Sequence, residues 1–316
     1  DAAGGALGGI AAGAMIAEVN LGRGNEIDEV QAVLGDNTSV QARRLTVRAS
    51  SSDDLLAEST AAGGGVLAAA GADSRVTSDN ATLARIGSNA LIQVDTLTVD
   101  STHEQDIDAA ADSYALALAS GSGAQTGVTI TGQAKVDIDS GARVTAGNIL
   151  IGAENRLAKN RFPNASNLKS GSASGASATL LQSTTDIGTQ AVVNIGVGAE
   201  LTVQGDSSHP GVFTIEALND ISATDRVRVE SVSGFGYSKA VSRVDSNTLA
   251  AVNVLGATLA SRRGDVYLTA MTNSDVTSSA NLLVATALTG AAGAEATART
   301  STVNRINIAD ARIQAA

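Results

Sequence analysis

The chain contains no cysteine and no tryptophan, and its 316 residues include only two prolines, two histidines, three tyrosines and three phenylalanines. Each scarcity excludes something. Without thiols there are no disulfides and no thiolate metal centres. The two histidines, His103 and His209, lie far apart and have no counterparts elsewhere, whereas a histidine zinc site or a catalytic triad needs several converging groups. Both are expected in exposed loops. An aromatic content of 2 % offers few platforms for stacked sugars and dictates a thin core of Ala, Val, Leu and Ile. The 33 glycines follow no Gly-X-Y period, which excludes collagen. Basic residues are also in deficit: 21 Lys and Arg against 32 Asp and Glu give a net charge of −11, opposite to what nucleic acid or anionic lipid attracts. The opening segment, DAAGGALGGIAAGAMIAEVN, lacks the basic stretch of a signal peptide and is too short and glycine-rich for a membrane span. No cofactor, metal, nucleic acid or membrane insertion is expected.

What is present is a period. Asn37, Asn89, Gly141, Gly198, Gly256 and Asp310 recur at intervals of 52, 52, 57, 58 and 54 residues, and a small residue follows each of them. Gly, Asn and Asp are the residues that enter the left-handed region at low cost, so these six read as repeated turn corners. Beyond the corners come apolar pairs at i, i+2: Leu45/Val47, Leu97/Val99, Ile149/Ile151, Phe213/Ile215 and Val266/Leu268. This spacing predicts strands with one buried face. Between the pairs and the next corners lie segments such as AAGGGVLAAAGADSRV and SGSASGASATLLQS. Their alternation of Ala, Ser, Gly and Thr reads as strand, because each glycine inside a helix would cost about 1 kcal/mol.

The expected fold is therefore an all-β, elongated β-solenoid (β-helix) built from repeats of about 52 residues. About two coils are expected per repeat, with a dozen coils making a rod roughly 55 Å long at the usual strand spacing. The domain reading is a single continuous array over 1–316, the chain starting inside a small-residue segment and stopping just after a corner, as a fragment of a longer array does. Two insertions break the even spacing, and they contain the only prolines, Pro163 in NRFPNASN and Pro210 in QGDSSHPGV. Proline donates no ladder hydrogen bond, so Pro163, Asn164, His209 and Pro210 mark candidate surface loops, and Asn164 opens an Asn-x-Ser glycosylation triplet.

Carboxylates cluster at Asp53 and Asp54 and at Glu104, Asp106 and Asp108. The preferred reading is a solvated edge whose charge discourages stray pairing. The alternative is an oxygen-ligated calcium ion, or the acid and base of a polysaccharide-cleaving enzyme using Asp106 and Asp108. Asp137, Asn194, Asn253 and Asn307 occupy equivalent places before Ile or Val, and are expected to stack as a hydrogen-bonded ladder. Phe235 and Tyr237 are expected to fill a gap in the alanine-rich core.

Taken together, SGARVTAGNILIGAEN and LGATLASRRGDVYLTAMTNSD resemble the repeats of giant bacterial surface proteins, the leukotoxin-like filamentous adhesins and, more loosely, the filamentous-haemagglutinin class of β-solenoids. The resemblance runs over essentially the whole chain and rests on a structural consensus of small residues. It implies a secreted, non-enzymatic shaft at the bacterial cell surface or outside the cell, whose partners are further copies or a continuation of the same solenoid, with an unspecified cell-surface or glycan ligand. Two other functions remain open at this level: a carbohydrate-active β-helix enzyme, and an adhesive module acting through the Pro163 and Pro210 loops.

Overall fold

The computed structural model describes residues 1–22, 28–159, 166–205 and 210–315. All regular structure among them is β: β1 (Ala2–Leu21), β2 (Asp28–Leu34), β3 (Ser39–Ile86), β4 (Leu91–Ile138), β5 (Arg143–Lys159), β6 (Leu168–Ile195), β7 (Glu200–Val203), β8 (Phe213–Leu255), β9 (Thr258–Ser261), β10 (Val266–Ala309) and β11 (Arg312–Gln314). The eleven strands belong to one sheet, and every pairing is parallel. The architecture is an all-β, solenoid-like parallel fold.

A 48-residue strand such as β3 would be roughly 160 Å long if straight. It folds back on itself instead. The hydroxyls of Ser59 and Ser74 lie 2.8 Å apart, and the Asn80 amide reaches Asp53. The two halves of the strand are therefore facing walls, joined at the far end by Gly63, Gly64 and Gly65. A Cβ at Gly63 would press on the Ala69 backbone at 2.7 Å, so the return of the chain requires the missing side chain there.

The register decides how coils relate to repeats. Leu45 pairs with Leu97, Leu97 with Ile149, Ile149 with Phe213 and Phe213 with Val266, so the first members of the apolar pairs stack on one another. Apart from Arg43 and Val66, each residue of β3 meets the residue 52 positions later in β4, and the offset between β4 and β6 is 57. Two coils per repeat would place neighbours about half that distance apart. The expectation of two coils is thus corrected to one long, flattened coil per corner, because a coil must cover both walls before it returns to its own corner. With strands about 4.8 Å apart, the six coils rise roughly 25 Å, about half the expected rod.

Burial alternates along the walls. In β4, Leu97, Val99, Ser101, His103, Gln105 and Ile107 point inward, each separated by a more accessible residue. The interior falls into three clusters along the width of the coil. The largest lies near the corners and contains Ile86, Leu97, Ile149, Val193, Phe213 and Val252. The middle one is built on Ile107, Ile130 and Ile221. The third, toward the far edge, is poorer in large side chains and leans on Ala61, Ala111, Ala115 and Ala240. Small residues let the walls converge there, and serine and threonine fill the inward positions between them. Ser113 meets Ser170 at 3.0 Å, Thr126 meets Ser183 at 2.7 Å and Ser172 meets Ser231 at 2.9 Å, each along the stacking direction.

All six corner residues have positive φ: Asn37 55°, Asn89 54°, Gly141 70°, Gly198 73°, Gly256 60° and Asp310 52°. Their amides continue the ladder through the turn. The N–H of Asn37 donates to Ser88 at 2.8 Å, that of Asn89 to Ser140 at 3.0 Å and that of Gly141 to Val197 at 3.0 Å. The small residue after the corner turns inward, and Ala90, Ala142, Ala199 and Ala257 are all buried. A Cβ at Gly198 would approach no atom closer than 3.8 Å, so an alanine there meets only the conformational penalty. Gly198→Ala is expected to destabilise the protein by about 1–2 kcal/mol, seen as a lower urea midpoint. An unchanged midpoint would show that this corner relaxes out of the left-handed region.

Candidate functional site

Three features of the structure bear on function: a polar ladder on the outside, a charged cluster sealed inside, and an apolar groove along the far edge. The ladder is the one expected from the sequence. Asp137, Asn194, Asn253 and Asn307 are in register. The Asn194 amide donates to Asp137 at 2.8 Å, and the Asn253 amide donates to Asn194 at 2.8 Å. It links three coils and is bounded by ion pairs, Lys135 with Asp137 at 2.7 Å and Arg85 with Asp139 at 2.5 Å.

His103 is a correction. It lies within β4, inside the coil, and not in an exposed loop. Its Nε2 is 3.2 Å from Asp53 Oδ2, while Nδ1 has no hydrogen-bond partner. Burial lowers its pKa from 6.5, outweighing the hydrogen bond and charge of Asp53, which raise it. The sign follows from proton counting. As pH falls below about 6.5 the unfolded chain takes up a proton that the folded chain refuses, so stability present at neutral pH is lost on acidification. We expect the urea midpoint of the native protein to fall between pH 7.5 and 5.5 by more than that of His103→Gln. Equal falls would mean that His103 is not the group responsible.

The acidic residues are dispersed rather than gathered into one site. Asp54 and Asp106 are exposed and Asp53 is half-buried beside His103, but Asp108 is completely buried, so the solvated-edge reading fails at that residue. Asp106 and Asp108 do not face a common solvent cleft. No group of three or more His, Asp or Glu side chains that could hold a metal ion occurs among the described residues.

Asp108 instead faces Lys159, the last residue of β5, and Asp225 on β8. All three side chains are sealed from solvent, at 0, 1 and 0 % exposure respectively. Lys159 Nζ is 3.1 Å from Asp225 Oδ1, 3.4 Å from Asp108 Oδ1 and 3.4 Å from the Thr224 carbonyl. Asp225 also accepts from Ser183 and from Ser242, each at 2.8 Å. Asp108 Oδ1 accepts the Asn167 amide at 2.7 Å and the Ala109 N–H at 2.9 Å, but Asp108 Oδ2 has no partner. Burial raises the Asp108 pKa, and the Lys159 charge only partly offsets it. For Lys159, burial acts to lower the pKa, but the charges of Asp225 and Asp108 together carry it above the ordinary lysine value. Sequence reasoning missed this cluster. Its members come from three coils, and Lys159 differs from other scattered basic residues only by occupying an inward position of the strand.

The far edge carries a groove of about 860 Å³ that crosses the coils, lined by Ile10, Leu67, Ala119, Ala176, Phe235 and Tyr237. Phe235 and Tyr237 are 52 and 46 % exposed, so they do not fill a gap in the core as expected. They stand at the far edge, where the neighbouring inward positions are held by small residues, Ser233 and Ser238. Leu116, Leu118 and Val232 are exposed on the same edge. Of the expected surface-loop residues, Pro210 is exposed and outside any strand. Pro163, Asn164 and His209 lie outside the described residues.

The fold and these features define a parallel, solenoid-like β protein with one charged cluster sealed inside it and one apolar edge. No family model, no curated protein and no solved structure matches the chain.

Proposed function

We propose that the chain is a non-catalytic structural segment of a secreted bacterial surface filament or adhesin shaft, an array of coils of about 52 residues stacked along one axis. The observation that carries this reading is the parallel ladder that runs from coil to coil. Successive coils pair residue by residue from Ser39 to Ile86 with almost no interruption, and the corners keep the hydrogen bonding going. Stability in such an array comes from nearest-neighbour stacking, which suits a shaft that must be long and stiff. In such a shaft further copies, or further coils of a longer chain, pair in the same parallel manner. An extracellular location at the bacterial cell surface belongs to the same proposal.

Negative-stain electron microscopy of the full-length product tests it. Rods or fibres are the expected result, and compact, monodisperse particles would remove the filament reading. The carbohydrate-active alternative draws less support, because Asp106 and Asp108 are separated by burial. Depolymerisation of acidic polysaccharides by the purified chain would revive it. Adhesion through the Pro163 and Pro210 loops is tested by deleting both loops, and unaltered cell binding would dismiss it.

A further inference from the structure

The buried cluster on β4, β5 and β8 has more organisation than an ion pair requires. A primary amine and a carboxyl group are held in contact where water is excluded. Asp108 Oδ1 receives two N–H donors, from Asn167 at 2.7 Å and from the Ala109 backbone at 2.9 Å. Asn167 is itself oriented, because its side-chain oxygen accepts the Arg226 N–H at 3.2 Å. Two donors on one carboxyl oxygen form the arrangement that stabilises negative charge on a carbonyl oxygen under attack. The other oxygen, Oδ2, is buried with nothing bound to it. On the far side of the amine, Asp225 is fixed by Ser183 and Ser242 and lies 3.1 Å from Nζ, within reach of a proton.

We infer that Lys159 and Asp108 condense spontaneously into an intramolecular isopeptide bond, with Asp225 as the proton carrier and Asn167 and the Ala109 N–H as the oxyanion donors. The starting state has an ammonium at Lys159, a carboxylate at Asp225 and a protonated carboxyl at Asp108. Asp225 takes a proton from Nζ, and the freed lone pair forms the Nζ–Cγ bond to Asp108 as the C=O electron pair moves onto Oδ1. Asp225 passes its proton to Oδ2, the Cγ–Oδ2 bond breaks and water leaves. Asp225 then takes one more proton from the nitrogen. The products are a neutral secondary amide, one water molecule and a protonated Asp225, so charge and protons balance and nothing is oxidised or reduced. Burial raises the Asp108 pKa, in the direction of the protonated acid that the step consumes. The reaction also removes an ammonium and a carboxylate from a site where each costs several kcal/mol to bury as an ion. The product ties the coil of β4 covalently to the coil of β5.

The test is intact-mass spectrometry of the purified full chain after complete denaturation. The expected mass is one water lighter than the sequence requires, and a proteolytic digest contains a branched peptide joining Lys159 to Asp108. Lys159→Arg and Asp108→Ala are expected at full sequence mass. Asp225→Asn, which keeps most hydrogen bonds but cannot carry the proton, is expected folded by circular dichroism and also at full mass. Native protein that is folded and has the full sequence mass overturns the inference, as does a branch mapped to Asp225. The native measurement decides the matter even where a variant fails to fold.

Discussion

Lys159→Met is expected to lower the unfolding free energy by about 3–5 kcal/mol at neutral pH: where Lys159 is an ammonium, removing one member of a buried charge cluster leaves the others uncompensated, and where it is joined to Asp108 the variant loses the tie between coils as well. Lys159 is the only cation within hydrogen-bonding distance of Asp108 and Asp225 among the described residues, and none of the three side chains reaches solvent. The loss should shrink on acidification. Without the ammonium nothing offsets the burial that pushes Asp108 upward, so the folded variant binds a proton that its unfolded chain releases, and stability is recovered as pH falls toward the carboxylate range. The double variant Lys159→Met/Asp225→Leu should recover much of the loss at neutral pH by removing a charge along with its partner. Urea unfolding of the native protein and both variants at pH 7 and pH 5 checks this. Equal stability of Lys159→Met and native protein at pH 7 would mean that water reaches the cluster.

The second large effect is expected at Phe213. Among the described residues it is the largest fully buried apolar side chain, inside the corner-proximal cluster, and its backbone pairs with Ile149 on one side and Val266 on the other. Phe213→Ala should cost about 3–5 kcal/mol, the usual range for emptying a buried aromatic site. Rungs about 4.8 Å apart cannot close over the void without breaking their hydrogen bonds. Phe235→Ala is the control. That ring stands half exposed on the apolar edge, so its loss should change stability by about 0.5 kcal/mol or less. The difference is read from urea midpoints of the two variants. Similar effects would place both rings in comparable surroundings, against the burial described above.

The contrast between these phenylalanines marks how far sequence reasoning reached. The spacing of apolar pairs was enough to place Phe213 in the core, since an i, i+2 pair with Ile215 in register with four similar pairs has one physical reading. Phe235 in SGFGYSK sits in an equally alternating stretch, and nothing local says how wide the interior is at that point. Width depends on how closely the two walls approach, which is set by small residues on the opposite wall and in neighbouring coils. The same reason hid Asp108 and His103. Both belong to runs that look hydrophilic and solvated, yet strand alternation turns one side of such a run inward.

Coil number was illegible for a related reason. A corner every 52 residues with strands between is compatible with either one long coil or two short ones, because local dihedral preferences and period-two patterning are identical in the two cases. Register separates them, and register is a relation between residues 52 or more positions apart.

The sequence by itself determined the all-β character, the six left-handed corners and the strands of small residues. These depend on properties of single residues and their immediate neighbours: the cost of positive φ for a residue with a Cβ, the alternation of faces and the poor fit of glycine to a helix. Tertiary structure alone decided that one coil serves each corner, that Lys159 lies sealed between Asp108 and Asp225, and that an apolar groove runs along the far edge. Those facts arise from which walls face each other and which coils stack, and long-range packing, not local preference, sets both.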